Sequence, residues 1–124
     1  MARILTATTL VLALGLTNAA HAADAGKGKS VFTGQCAICH AVNAHASSGI
    51  GPSLFGVVGR PAGALSGYSY SSAMKNAATV WTPTHLKAYI TAPAQTISGN
   101  KMPYAGLKNP AQVDDLLAYL ATLK

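Results

Sequence analysis

Cys36 and Cys39 stand three positions apart and His40 follows directly, in the run Cys36-Ala37-Ile38-Cys39-His40. Two thiols at that spacing near a helix end lie on one side of the chain. They can add across two vinyl groups of a porphyrin and form thioethers. The adjacent imidazole then falls beneath the ring and offers a nitrogen to its iron. This C-x-x-C-H pattern is that of covalent haem attachment. Other chemistries suit the residues less well. A zinc site needs two more ligands at suitable spacing, and beyond the motif and residues 1–22 only His45 and His85 remain, far apart in sequence. A thioredoxin-type dithiol needs a βαβ context, which the pattern lacks. A plain Cys36–Cys39 disulfide would leave His40 and the long loops unexplained.

An iron held by His40 has a second axial position. Apart from Met1, the methionines are Met74 and Met102. A single Met is more often core filler than ligand. Met102 lies in Asn100-Lys101-Met102-Pro103-Tyr104, a loop held by Gly99 and Pro103, and a loop position suits a ligand. Met74 falls in a short predicted helix and reads as packing. His45 or His85 is the alternative and would give a bis-histidine iron. Met/His ligation raises the reduction potential. It also fills both axial positions, which favours electron transfer over reaction with oxygen or peroxide.

The elements that must position these residues are few. The chain has 124 residues, half of them apolar and only 10% charged, which excludes a disordered polymer and allows one domain. Residues 1–22 read as a cleaved secretory signal: Arg3, an apolar run from Ile4 to Leu16, and the Ala20-His21-Ala22 cleavage site. Thr17 and Asn18 end that run too early for a membrane span. The domain is then 23–124, delivered to an oxidising compartment, the periplasm of a bacterium, with no stable membrane anchor. A helix is expected over 25–39, one or two turns over 71–77, a helix opened by Thr82-Pro83 and closed by Pro93, and a last helix opened by Asn109-Pro110. The last carries the strongest periodicity, Val113, Leu116, Leu117, Leu120 and Leu123. Asp114 and Asp115 sit near its positive end, which favours them. The stretch before residue 71 and residues 93–109 read as loops, and no strand pattern or repeat appears. The fold class is therefore all-α, with short helices and long loops that cannot bury much against one another. A bulky apolar ligand in the middle resolves that problem.

Several further motifs, in order, carry a resemblance. They are Gly51-Pro52-Ser53-Leu54-Phe55-Gly56, Gly59-Arg60, Gly67-Tyr68-Ser69-Tyr70, Trp81, Lys101-Met102-Pro103-Tyr104-Ala105-Gly106 and the final Leu116-Leu117-Ala118-Tyr119-Leu120. With the Cys36–His40 run, they make the chain resemble a class I cytochrome c, of the bacterial cytochrome c2 and mitochondrial kind, over about residues 26–124. The resemblance implies the small cytochrome c fold wrapped around one covalently attached haem c. It implies that Gly28 and Phe32 pack on Leu116 and Tyr119. It implies that the Pro52 carbonyl accepts the second ring N–H of His40, that Arg60, Tyr70 and Trp81 hold a haem propionate, and that the Tyr89 hydroxyl reaches the axial Met102 sulfur. Met74 departs from the pattern, standing where relatives often place an Asn that orders a buried water. Ser48 stands in place of a loop-pinning His, and Gln35 and Ala94 in place of lysines.

The expected function is a soluble, monomeric, periplasmic electron carrier and no enzyme. It would dock on acidic faces of membrane redox complexes, a bc1-type donor and an oxidase or reaction-centre acceptor. Nine Lys and Arg against three Asp suit an acidic partner, and nothing suggests nucleic acid. The alternative is a small haem enzyme or gas- or peroxide-binding protein with a labile Met ligand, though no distal acid–base pair surrounds the Met102 loop. A haem-carrying structural domain is a third reading, with no interaction segment to support it.

Overall fold

The computed structural model describes residues 20–45 and 48–124. Most of the signal segment expected over 1–22 therefore lies outside the described residues. Five helices follow in order: α1 (Ala25–Gln35), α2 (Ser72–Lys75), α3 (Pro83–Thr91), α4 (Pro93–Thr96) and α5 (Pro110–Leu120). Among the described residues the one β-type pairing is an isolated bridge between Pro61 and Val80. No described helix is long and apolar enough to cross a membrane.

Each of the longer helices, and the short α2, starts where a side chain takes up orphan backbone donors. Asp24 accepts from the Lys27 N–H, Ser71 from Met74, and Thr82 from His85, with Pro83 at the first helical position. Asn109 accepts from both Ala111 and Gln112, ahead of Pro110. Two sequence expectations need correction. Helix α1 stops at Gln35 instead of reaching Cys39, so the cysteines lie in the turn after the helix. Pro93 does not merely close α3. It opens α4, because a proline needs no donor at the first helical position, so the 93–109 segment begins with a helical turn.

The frame is the crossing of α1 over α5. Phe32 packs on Tyr119 with ring centroids 5.6 Å apart. Val113, Leu116 and Leu120 of α5 are each 2% exposed, as their spacing predicts. Gly28 is the contact point. A Cβ there would run into the Asp115 carbonyl and lie 2.9 Å from Tyr119 Cβ. Glycine inside a helix costs about 1 kcal/mol against alanine, so Gly28→Ala gains that much in propensity. It also forces two backbones apart, which costs about 1–3 kcal/mol by overpacking and more where backbone must move. The clash should win: Gly28→Ala is expected to lower stability by about 2 kcal/mol, read in a denaturant titration of the holoprotein. An unchanged midpoint would show that the two helices have room to separate freely.

Candidate functional site

The core does not close on itself. A cavity of about 280 Å³ opens between α1, α3, α5 and the loops, walled by Leu54, Val57, Leu86, Ile90, Leu116 and Leu120. Every residue singled out from sequence as a haem contact lines it: Cys36, Cys39, His40, Pro52, Arg60, Tyr70, Trp81, Tyr89 and Met102. Met74 lines it too. His45 and His85 do not. His85 Nδ1 instead lies 2.8 Å from the Val80 carbonyl on the outer side of α3.

The cysteine turn is fixed by its backbone. The Cys36 and Ala37 N–H groups both donate to the Phe32 carbonyl, and those of Cys39 and His40 to the Cys36 carbonyl. The Gly51 N–H donates to the Cys39 carbonyl at 2.9 Å, which brings the next loop over the imidazole. Only glycine fits there, since a Cβ at Gly51 would lie 2.5 Å from His40 Cε1. Cys36 and Cys39 are free thiols, both half-buried. Burial, then the neighbouring Cys39, pushes the Cys36 thiol up to about 11, so it stays protonated and slow to oxidise at neutral pH.

His40 Nδ1 lies 2.7 Å from the Pro52 carbonyl. A carbonyl only accepts, so Nδ1 carries the proton and Nε2 keeps its lone pair. Burial lowers the pKa of the imidazole, and the Pro52 carbonyl opposes this in part. The neutral form is the one that ligates a metal. Tyr89 is pushed up to about 12, by burial first and Tyr68 second, so its hydroxyl remains a neutral donor. Its ring lies 5.0 Å from that of Trp81. Arg60 spends two of its donors on the protein, Nη1 to the Phe55 carbonyl at 3.2 Å and Nη2 to the Ser53 carbonyl at 2.9 Å. A guanidinium has five N–H groups, so it is held in place with donors left for a carboxylate. Burial lowers the pKa of Arg60 and raises that of Tyr70, and each group's charge partly offsets the other's shift.

Sequence reasoning missed the clamp of the Met102 loop. Asn100 Nδ2 donates to the Pro93 and Ile97 carbonyls at 3.1 and 2.8 Å, and Asn100 Oδ1 accepts from the Met102 N–H at 2.7 Å. One amide thus ties both ends of α4 to the backbone of Met102. The available signal was an Asn directly after Gly99, a turn pair. The outer edge of the loop is joined to α1 by the Tyr104 hydroxyl, which donates to Gln35 Oε1 at 3.1 Å. Ser48, in place of the expected His, accepts a long bond of 3.4 Å from the Ser53 N–H.

These residues fit a haem: two thiols in one turn, an imidazole with a free lone pair, a thioether in the same cavity, apolar walls and a guanidinium. No group of three His, Cys, Asp or Glu side chains that would hold a bare metal ion occurs among the described residues.

Known proteins resemble the chain closely. It is 44% identical over 100 residues to the cytochrome c2 of Agrobacterium tumefaciens (strain II Chrys), covering 78% of this chain and 89% of that protein. It is 42% identical over 103 residues to the cytochrome c of Nigella damascena, covering 83% of this chain and 93% of the relative. Among solved structures, cytochrome cH from Methylobacterium extorquens superposes with a TM-score of 0.75 at 38% identity, over 80% of this chain and 98% of its own. The cytochrome c family model matches residues 25–124. The chain belongs to the class I cytochrome c family, of the cytochrome c2 type, and is a small electron-carrier cytochrome with one covalently attached haem c.

Proposed function

We propose that the chain is exported, cleaved after Ala22, and works in the periplasm as a soluble shuttle between membrane redox complexes, with no enzymatic activity of its own. Cys36 and Cys39 would hold the haem through thioethers, and His40 and Met102 would ligate its iron. The observation that carries this reading is one cavity lined by both cysteines, by a His40 fixed through Pro52, and by Met102 on a clamped loop.

The bound haem supplies a one-electron couple. The protein's part is to hold it still and dry. The Pro52 carbonyl fixes the tautomer and plane of His40 and raises its basicity. Tyr89 keeps its proton and can donate toward the Met102 sulfur. Arg60, with Tyr70 and Trp81, offers donors to a propionate. Apolar walls disfavour the more positive oxidised state and so raise the potential. With His40 and Met102 both ligating, the iron would offer small ligands no open place. Carbon monoxide tests this: the reduced protein should fail to bind it rapidly at neutral pH. Rapid binding would move the reading to a gas- or peroxide-reactive haem protein.

The partner proposed is an acidic face of a membrane complex. The basic face offered to it is thin. Lys101 Nζ lies 2.5 Å from the Ser69 carbonyl and Lys108 Nζ 2.6 Å from that of Thr91, so both are held in place. Gln35 and Ala94 bring no charge. Ile38 is 85% and Ile50 71% exposed, and both border the cavity, so an apolar contact accompanies the charged one. Electron-transfer rates with an acidic partner should fall only modestly as the Debye length shrinks from about 30 Å to about 8 Å. Gln35→Lys should steepen that slope in stopped-flow measurements. A flat or rising salt dependence would assign docking to Ile38, Ile50 and their apolar neighbours alone.

A further inference from the structure

Asp115 is a carboxylate where a helix interface has none to spare. It sits at the crossing of α1 and α5 and is 4% exposed. Its Oδ1 accepts from the Asp24 backbone N–H at 2.8 Å and lies 3.0 Å from His21 Nε2. The Asp24 N–H first, and His21 second, hold the carboxyl below its ordinary range, with a smaller contribution from Lys27. The neighbouring Asp114 does not compete for these partners, because Lys87 of α3 binds it at 2.6 Å. The Asp24 carboxylate is engaged in capping α1 through the Lys27 N–H.

His21 lies before the proposed cleavage point, so the role of this carboxylate in the exported protein rests on cleavage after Ala22. That cut removes the His21 imidazole from Asp115. The carboxylate keeps the Asp24 N–H but loses its second partner, and a buried carboxylate left short of partners is disfavoured. The same cut creates an α-ammonium on Ala23. That nitrogen is one residue from the N–H already on the carboxylate, and successive backbone nitrogens lie about 3 Å apart. The ammonium therefore starts within one residue's span of the carboxylate, and the freed Ala23 can rotate about its own bonds.

We propose that Asp115, together with the Asp24 backbone N–H, forms a binding site for the N-terminal α-ammonium of the processed chain, which takes the place of His21. The exchange changes the chemistry of the pair. An α-amine, which ordinarily titrates near 7.7–8.0, is largely charged at neutral pH. Processing therefore sets a standing cation on Asp115 and fastens the start of α1 onto α5. A cation at a helix N-terminus opposes the macrodipole, and the two carboxylates of Asp24 and Asp115 offset that.

The test uses the exported, haem-loaded protein in its reduced form. Intact mass gives the first residue. Its α-amine is then labelled by reductive methylation with ¹³C-formaldehyde and titrated by NMR. The expected result is a chain starting at Ala23 whose α-amine titrates about one pH unit above the ordinary range, a tenfold gain in proton affinity. Asp115→Asn should return it to the ordinary range. So should a Gly-Ser insertion between Ala22 and Ala23, which moves the ammonium away and leaves Asp115 intact, and which serves if the Asn variant does not fold. An Ala23 start with an ordinary titration overturns the proposal alone. An elevation that survives both changes overturns it too and assigns the effect to Asp24. A start at another residue overturns the cleavage reading and this proposal together.

Discussion

Replacing Cys36 and Cys39 together by alanine should leave a chain that keeps no haem through acid–acetone extraction and shows little helix by circular dichroism. Most of the buried apolar residues line the cavity. At roughly 24 cal/mol per Å³ of void, an empty 280 Å³ cavity would cost at most on the order of 7 kcal/mol. Small domains are stable by only about 5–15 kcal/mol, and one of this length stands at the low end. The void therefore removes up to several kcal/mol of that margin, before the ligand bonds are counted. The parent protein, denatured and reduced, should retain its haem in the same extraction. A parent haem that extracts freely would mean that the cysteines do not hold it.

Met102→Ala should open the iron without unfolding the loop. The clamp on this segment runs through main chain: the Met102 N–H to Asn100 Oδ1, and the Tyr104 N–H to the Met102 carbonyl at 2.9 Å. Neither needs the thioether. The variant should therefore stay folded, bind carbon monoxide rapidly when reduced, and lose potential by on the order of 0.1–0.2 V, part of the roughly 0.8 V that axial ligands span. No histidine stands ready to fill the gap, since His45 and His85 lie away from the cavity. Met74→Leu removes the other thioether in the cavity at nearly constant volume and should leave the ligand spectrum unchanged. If the two variants exchange outcomes, Met74 is the ligand.

The site was legible where residue type and spacing alone decide the chemistry. Cys36, Cys39 and His40 form one local unit, and the Thr82-Pro83 and Asn109-Pro110 caps act within a single turn. Leu116 and Leu120 could be placed because a helix repeats its buried face. What escaped depends on the chain meeting itself. Asn100 reads as a turn residue until α4 brings the Pro93 and Ile97 carbonyls to its amide. Pro93 reads as a stop, although proline serves equally as a start. Asp115 reads as a dipole partner of its own helix, and only the approach of α1 at Gly28 turns it into a buried carboxylate. The Cys36 turn reads as helix because nothing in Cys36-Ala37-Ile38-Cys39 breaks one. Its backbone is set by the bonds back to Phe32 and onward to Gly51.

The most direct measurement is an NMR spectrum of the reduced protein with ¹³C-methyl-labelled methionine. A methyl group seated on the axial sulfur of a low-spin ferrous haem lies inside the ring current and resonates far upfield. The expected spectrum holds one such methyl, which Met74→Leu retains and Met102→Ala abolishes. A spectrum with no upfield methyl, or one that Met74→Leu removes, would contradict the assignment of His40 and Met102 as the axial pair.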